Sequence, residues 1–504
     1  MAELPPGARM VERVIPAVTE TITRRVVKTP ARTTERFIPA ITKDVTVEVV
    51  NEDGTVTEVT KTFVIQPASV EYISPPPVYD TVTETIVTEP ARTELVMIKA
   101  DGTTIIVPPP VVKFKPKPKP RPQSGLLTAG DYDDVLNPDL YKVYLDKMLQ
   151  GQLKGKDLPY VDANERVSIR VVDSLGKPVP LADISLKTSR GAKMFPLRTG
   201  ADGMAYLYPN YDSLESGIKV KVSAKGARSV TTRLTRKLIK NGGDIVVDLK
   251  MESQPIQALD LLLTIDATGS MGDEMRYLQS ELKAIVGRVE EANPGVDIRT
   301  GLVVYRDKGD DYVVREIPFA DDIEDFRKSL SEQSANGGGD KPEAMHTAMQ
   351  TGLDMEWRKD ALKVNLLVAD APPHDRYLDE TWEAGLISRT KGIHIVPLAA
   401  SGVDKTAEFV MRSMAQITGG RFLFLTDDSG IGNPHAKPTV DCYVVTRLDG
   451  LVTRVLSSLI KGERVEPEAS DVIRSVGNYR AGTCAIDEQD IPTSIQTVSY
   501  KYKQ

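Results

Sequence analysis

Apolar and polar positions follow three regimes along the chain. Over the first hundred residues Val and Ile alternate with Thr, Glu and Arg, as in Thr81-Val82-Thr83-Glu84-Thr85-Ile86-Val87. A period of two predicts strands with one apolar face, and the recurring prolines place them at edges or break them up. Between residues 166 and 251 the runs are short and separated by turn signals. Val167-Ser168-Ile169-Arg170-Val171-Val172, Ile184-Ser185-Leu186, Ala205-Tyr206-Leu207, Ile218-Lys219-Val220-Lys221-Val222 and Ile245-Val246-Val247 predict an all-β domain. From residue 256 solid apolar runs alternate with helical spacing. Leu261, Leu262, Leu263 and Ile265 show no alternation, which suits a strand buried on both faces. Met275, Leu278, Leu282, Ile285, Val286 and Val289 then recur at helical spacing. Further strands are predicted near 298–305, 364–369, 393–398 and 421–425, and helices near 273–290, 342–354, 405–416 and 447–461. That order argues a doubly wound α/β domain, a parallel sheet with helices on both faces.

The expected organisation is therefore multidomain: Thr/Pro/Val-rich β repeats over 1–107, a Pro/Lys linker over 108–124, a short helical segment over 125–162, a β-sandwich over 163–252, the α/β domain over 256–464 and a tail over 465–504. In the repeats, Pro16-Ala17-Val18-Thr19 and Pro76-Pro77-Val78-Tyr79 both lead into Pro-Ala-Arg-Thr, at 30–33 and 90–93. A middle copy runs from Pro39 to Ser69 and carries an inserted hairpin with Asn51-Glu52-Asp53-Gly54 as its turn. These strands lack the bulk for an ordinary core, so they require repetition or another chain; a disordered Thr/Pro-rich tail is the alternative. Lys115-Pro116-Lys117-Pro118-Lys119-Pro120-Arg121-Pro122 predicts a polyproline II spacer. Asn137 and Pro138 signal a helix start, and residues 493–502 alternate as one more strand.

Composition narrows the function classes. At 504 residues several domains are expected. With 64 basic and 71 acidic side chains and a net charge of -7, nothing favours nucleic acid. Cys442 and Cys484 are too few for a disulfide scaffold, and one bridge or two free thiols both stay open. No run of about 20 apolar residues predicts a transmembrane helix. Met1-Ala2-Glu3-Leu4-Pro5-Pro6 lacks the basic and apolar regions of a signal peptide. A cytosolic location, another export route or a missing leader all follow from that.

The candidate chemistry lies at the end of the first α/β strand. Asp266, Thr268 and Ser270 present three oxygens two residues apart, and Gly269 and Gly272 let the backbone turn tightly. Ligands of open α/β sheets bind at the carboxyl ends of strands. One carboxylate and two hydroxyls suit a hard cation that keeps water, most naturally Mg²⁺, with Mn²⁺ or Ca²⁺ as alternatives; a plain helix cap by Thr268 or Ser270 explains the same residues without metal. Two later stretches add acids: Gly337-Gly338-Gly339-Asp340-Lys341-Pro342-Glu343, and a second buried strand ending in Asp370.

Together these residues resemble the von Willebrand factor type A domain, here over about 256–462, with its metal-ion-dependent adhesion site. The match is to the integrin β-subunit form, which uses Asp-x-Ser-x-Ser, an Asp-x-Pro-Glu loop and a strand-end Asp-Ala. Here Asp266-x-Thr268-x-Ser270, Asp340-Lys341-Pro342-Glu343 and Asp370-Ala371 correspond. The resemblance implies metal ligation by Asp266, Thr268, Ser270, Glu343 and Asp370. It also implies an adjacent site at Asp273 and Glu274, and another at Asp307 with Asp340 and Glu343. Acids in a first helical turn are favoured without metal, and Asp307 reads equally as a solvated turn residue. Gly338 and Gly339 stand where relatives carry a supporting Asn and Thr. His374 falls near this face as a rim residue. The implied function is non-catalytic: a protein partner's acidic side chain completes the ion's coordination. The β-sandwich resembles carboxypeptidase regulatory-like domains, usually spacers. The alternative is a structural protein that forms homo-oligomers through its N-terminal repeats. No phosphate loop, His-Glu-x-x-His or nucleophile–base pairing supports an enzyme. Repeats, spacer and sandwich together point to a bacterial cell envelope or surface.

Overall fold

The computed structural model describes residues 121–163, 166–339 and 341–485, Asp273 by its backbone alone, and by backbone the paired strands between residues 9 and 106. The chain divides into two compact units, 1–118 and 119–504.

In the first unit Arg9–Ile15 pairs with Arg92–Ile98, Val18–Thr29 with Val78–Glu89, Thr34–Ile38 with Ser69–Ile73, and Ile41–Val50 with Val56–Gln66, all antiparallel. The pairs are nested, so the first and last sequence copies lie against each other and the middle copy folds on itself. The turn expected at 51–54, most of the spacer, and the strand expected over 493–502 lie outside the described residues.

The second unit is built on a nine-stranded mixed sheet. Its strands are β1 (Thr128–Tyr132), β2 (Ala258–Asp266), β3 (Asp297–Tyr305), β4 (Val314–Ala320), β5 (Leu362–Ala369), β6 (Ile393–Ala399), β7 (Phe422–Thr426), β8 (Tyr443–Arg447) and β9 (Arg474–Val476). The spatial order is β4-β3-β2-β5-β6-β7-β1-β8-β9. Strands β3, β2, β5, β6 and β7 are parallel, and the flanking pairings are antiparallel. Helices are α1 (Pro138–Lys147), α2 (Met275–Ala292), α3 (Ile323–Ser331), α4 (Met345–Asp354), α5 (Leu378–Lys391), α6 (Lys405–Thr418) and α7 (Leu448–Lys461). Because successive strand residues face opposite sides, Leu261, Leu263 and Ile265 of β2 join one core with α2, α3 and α7. Leu262 joins a second core with α1, α4, α5 and α6. Helices thus cover both faces, as the apolar runs predict.

Two features differ from the sequence reading. Residues 125–162 supply more than a packing helix, because β1 lies within the sheet between β7 and β8. The tail also contributes, through β9 at the sheet edge. The all-β segment between β1 and β2 forms a three-stranded and a four-stranded sheet around one apolar core. It is fastened to α5 by the buried ion pair of Arg389 with Asp212, both bonds 2.8 Å. Cys442 and Cys484 form a disulfide that ties the start of β8 to the last described residues.

Candidate metal centre

Strand β2 delivers Asp266 to the carboxyl edge of the sheet, and the chain then makes a 3₁₀ turn, Gly269–Asp273, before α2. Asp266 Oδ1 accepts the Thr268 backbone N–H at 2.9 Å and its hydroxyl at 2.7 Å. The Thr268 and Ser270 hydroxyl oxygens are 3.1 Å apart. Thr268 makes no side-chain cap, so this hydroxyl serves the carboxylate and not the helix end.

The glycine loop closes over that turn. Gly269 donates its N–H to Gly337 O at 3.0 Å. Gly338 has a positive φ of 73°, and a Cβ there would stand 3.2 Å from Glu343 Oε1 and 3.3 Å from Thr268 Cβ. Only glycine allows this approach. Asp310 braces the loop by accepting the Gly338 N–H on both oxygens, at 3.0 and 2.9 Å. Glu343 is fixed from its backbone, its N–H donating to Pro372 O at 3.0 Å just beyond Asp370.

Thr268, Ser270, Glu343 and Asp370, with Lys341, thereby line one open cleft of about 520 Å³. Asp266 is fully buried, Glu343 and Asp370 are 2% and 3% exposed, and Ser270 is exposed. Burial, then the charge of Asp370, pushes the Asp266 carboxyl up to about 7. Burial, then Asp266, Asp307, Asp370 and Asp310, pushes Glu343 up to about 9. The Tyr305 phenol is held well above its ordinary value by burial and by the same three carboxyls. Asp266 Oδ2 and Glu343 Oε2 are buried and make no hydrogen bond among the described residues. This is a cluster of acids short of positive charge, and its donors are all oxygen, as a hard cation prefers. No three His, Cys, Asp or Glu side chains among the described residues are gathered closely enough to hold an ion alone.

The residues expected at flanking sites are placed differently. Glu274 is fully buried, with Oε1 2.7 Å from His435 Nε2, while Oε2 accepts the Ser401 N–H at 3.3 Å. Asp307 is 6% exposed, not a solvated turn, and its Oδ1 lies 2.9 Å from His374 Nε2. Asp340 and the Asp273 side chain lie outside the described residues. Sequence reasoning overlooked Asp310, whose place three residues after Asp307 was the available signal, and His435, for which there was none. Burial works against a charge on His435, but bonds to Glu274 and Asp427 outweigh it and hold its pKa above the ordinary value.

Comparison with known proteins bears on the same segment. The profile of the von Willebrand factor A domain family matches residues 260–427. The putative ariadne-like RING finger protein R811 of Acanthamoeba polyphaga mimivirus is 30% identical over 196 residues, 35% of this chain and 19% of that protein. The alpha-protein kinase vwkA of Dictyostelium discoideum is 29% identical over 133 residues, 25% of this chain and 21% of that protein. The chain thus spans about a fifth of the length of these relatives. Among solved structures, the conserved hypothetical protein BatB from Bacteroides thetaiotaomicron aligns with a TM-score of 0.28 at 12% identity, covering 40% of this chain and 99% of that one. Domains of this family commonly mediate protein–protein interaction, often bind a divalent metal and are typically not enzymes. Residues 260–427 of this chain are thus similar to the von Willebrand factor A domain family.

Proposed function

We propose that Asp266, Thr268, Ser270, Glu343 and Asp370 hold a divalent cation, most naturally Mg²⁺, and that the chain binds a protein partner whose acidic side chain completes the coordination. The observation that carries this reading is an open cleft lined by Thr268, Ser270, Glu343 and Asp370, with Thr268 bonded to the buried Asp266, whose carboxyl is raised to about 7 partly by Asp370, while that of Glu343 is raised to about 9. Like charges this close resist ionising together unless a cation joins them. The bound ion supplies positive charge toward a partner's carboxylate, and partial burial in the cleft makes that attraction stronger than in bulk water. The chain's part is ligation without bond breaking. Thr268 and Ser270 offer neutral oxygens, which add ligands without adding to the negative charge a partner's carboxylate must meet. The all-β segment and the spacer carry the domain, in the manner of the carboxypeptidase regulatory-like domains it resembles. The Cys442–Cys484 bridge favours an oxidising compartment, which fits a bacterial cell envelope or surface.

The test is affinity capture by the full chain with Mg²⁺ or with EDTA, and by Asp266→Ala with Mg²⁺. A partner retained only by the wild type with metal supports the reading, and retention by Asp266→Ala overturns it. A second reading, assembly through the first unit, draws on the nested strand pairs. Two-stranded ribbons are marginal alone in water, so further strands from other copies would stabilise them. Deleting residues 1–122 would then abolish oligomers seen by size exclusion and electron microscopy. Oligomers that survive the deletion would remove that reading.

A further inference from the structure

One wall of the cleft comes from far along the chain. Asn433 and Pro434 line it, opposite the glycine loop, and Ser401 and Gly402 lie beside them. Asn433 and Pro434 belong to the long connection from β7 to β8, whose two halves are held differently, and Ser401 and Gly402 to the turn before α6. The later half is bound to α6: Thr439 N–H donates to Glu408 Oε1 at 2.7 Å, and Arg412 Nη1 donates to Thr439 O at 2.6 Å. The earlier half has another anchor. The His435 ring stands between two carboxylates, Nε2 at 2.7 Å from Glu274 Oε1 and Nδ1 at 2.8 Å from Asp427 Oδ1. The His435 side chain is 5% exposed and that of Glu274 is fully buried. Gly432, at a positive φ of 86°, lies so close to Glu274 that a Cβ there would overlap the carboxylate. The second oxygen of Glu274 accepts the Ser401 N–H.

We propose that Glu274 and His435 form a latch that holds residues 432–435 against the cleft, so that Glu274 anchors the cleft wall and is not a ligand of a second ion. The inference rests on the metal reading above only for what the latch does, since the wall it positions faces the proposed ion. One oxygen of Glu274 accepts the Ser401 N–H, and the other lies in ion-pair range of the His435 ring, 2.7 Å from its Nε2. An ion taking that carboxylate would have to displace both. Glu274 immediately precedes α2 and follows the turn that carries Ser270. The latch therefore ties the wall to the loop that bears the ligands, and its loss loosens the metal site without removing a donor.

The experiment uses the full chain as wild type, Glu274→Ala, His435→Ala, the double alanine variant and His435→Gln. Hydrogen exchange of metal-free protein reads residues 427–438, and Mn²⁺ titration followed by electron paramagnetic resonance reads ion number and affinity. Both alanine variants are expected to exchange at least tenfold faster in 427–438 and to bind one ion, as wild type does, about tenfold more weakly. The double variant should fall short of the sum of the two single ones, since both remove the shared contact. His435→Gln keeps a donor toward Glu274 and should restore most of both properties, which a general loss of packing would not do. Two ions on wild type and one on Glu274→Ala would overturn the proposal, as would unchanged exchange in His435→Ala. Failure of wild type to bind Mn²⁺ would instead refute the metal reading, and exchange would still decide the latch.

Discussion

Replacing Asp266 by Asn separates what the carboxylate does for the fold from what it does for the ion. Asparagine keeps an Oδ1 that can accept the Thr268 N–H and hydroxyl, now at 2.9 and 2.7 Å, but it removes the charge. Burial and Asp370 raise the Asp266 carboxyl to about 7 in the folded chain, against about 3.9 in an unfolded one. A group with a raised folded pKa favours the folded state below its unfolded value, and that advantage is lost as pH rises. Between about pH 4 and pH 7 the unfolded chain is ionised at this position while the folded one still holds its proton. Without metal, wild-type stability should fall across that window by up to about 4 kcal/mol through this group alone. Asp266→Asn has no such slope from position 266. Urea unfolding in EDTA at pH 4.5 and pH 8 tests this, and the variant should be more stable than wild type at pH 8 by roughly 2–4 kcal/mol. With Mg²⁺ that gap narrows or closes: at 100 times its Kd the ion adds about 2.7 kcal/mol to wild type and nothing to the variant. Parallel pH profiles of the two proteins in EDTA would refute the electrostatic reasoning. Equal stabilisation of both by Mg²⁺ would refute the assignment of Asp266.

Other positions carry separate expectations. Gly338→Ala places a Cβ 3.2 Å from Glu343 Oε1 at a φ of 73°. It should cost about 1–2 kcal/mol of stability and weaken Mg²⁺ binding about tenfold, as calorimetry would read. Arg389→Ala leaves Asp212 buried and unpaired where the all-β segment meets α5. It should destabilise the second unit by about 3–5 kcal/mol and expose that seam to limited proteolysis. Replacing Cys442 and Cys484 by Ser opens a bridge that spans 42 residues, and thermal unfolding should report a loss of about 2–4 kcal/mol.

The sheet's centre was legible because burial on both faces writes a solid apolar run, as at Leu261, Leu262 and Leu263, and no competing structure uses one. Strand β1 wrote no such run. Its Gly130 is needed because a Cβ would stand 2.8 Å from the Phe424 ring and 3.0 Å from that of Tyr443, a demand set by partners about three hundred residues away. Helix α5 was missed because its buried positions include Thr381, Gly385, Ser388 and Arg389, small or polar residues that blur helical periodicity. Edge strand β4 is only half-buried and carries Pro318, which breaks the strand signal. At the site, Asp266, Thr268 and Ser270 were readable because their spacing is local. The engagement of Glu274 by His435 was not, because it depends on how a connection after β7 folds back across the sheet edge. The second flanking position was half readable: Asp307 was singled out, but its partner His374 is supplied by the turn after β5.

The central claim is that one cation sits among Asp266, Thr268, Ser270, Glu343 and Asp370. Crystals of the full chain soaked in Mn²⁺ and measured at the manganese absorption edge test it most directly. A single anomalous peak is expected in the cleft, within about 2–2.5 Å of oxygens from at least three of these residues. A cleft without a peak, or a peak held by Glu274 and Asp273 with none at Asp266, would contradict it.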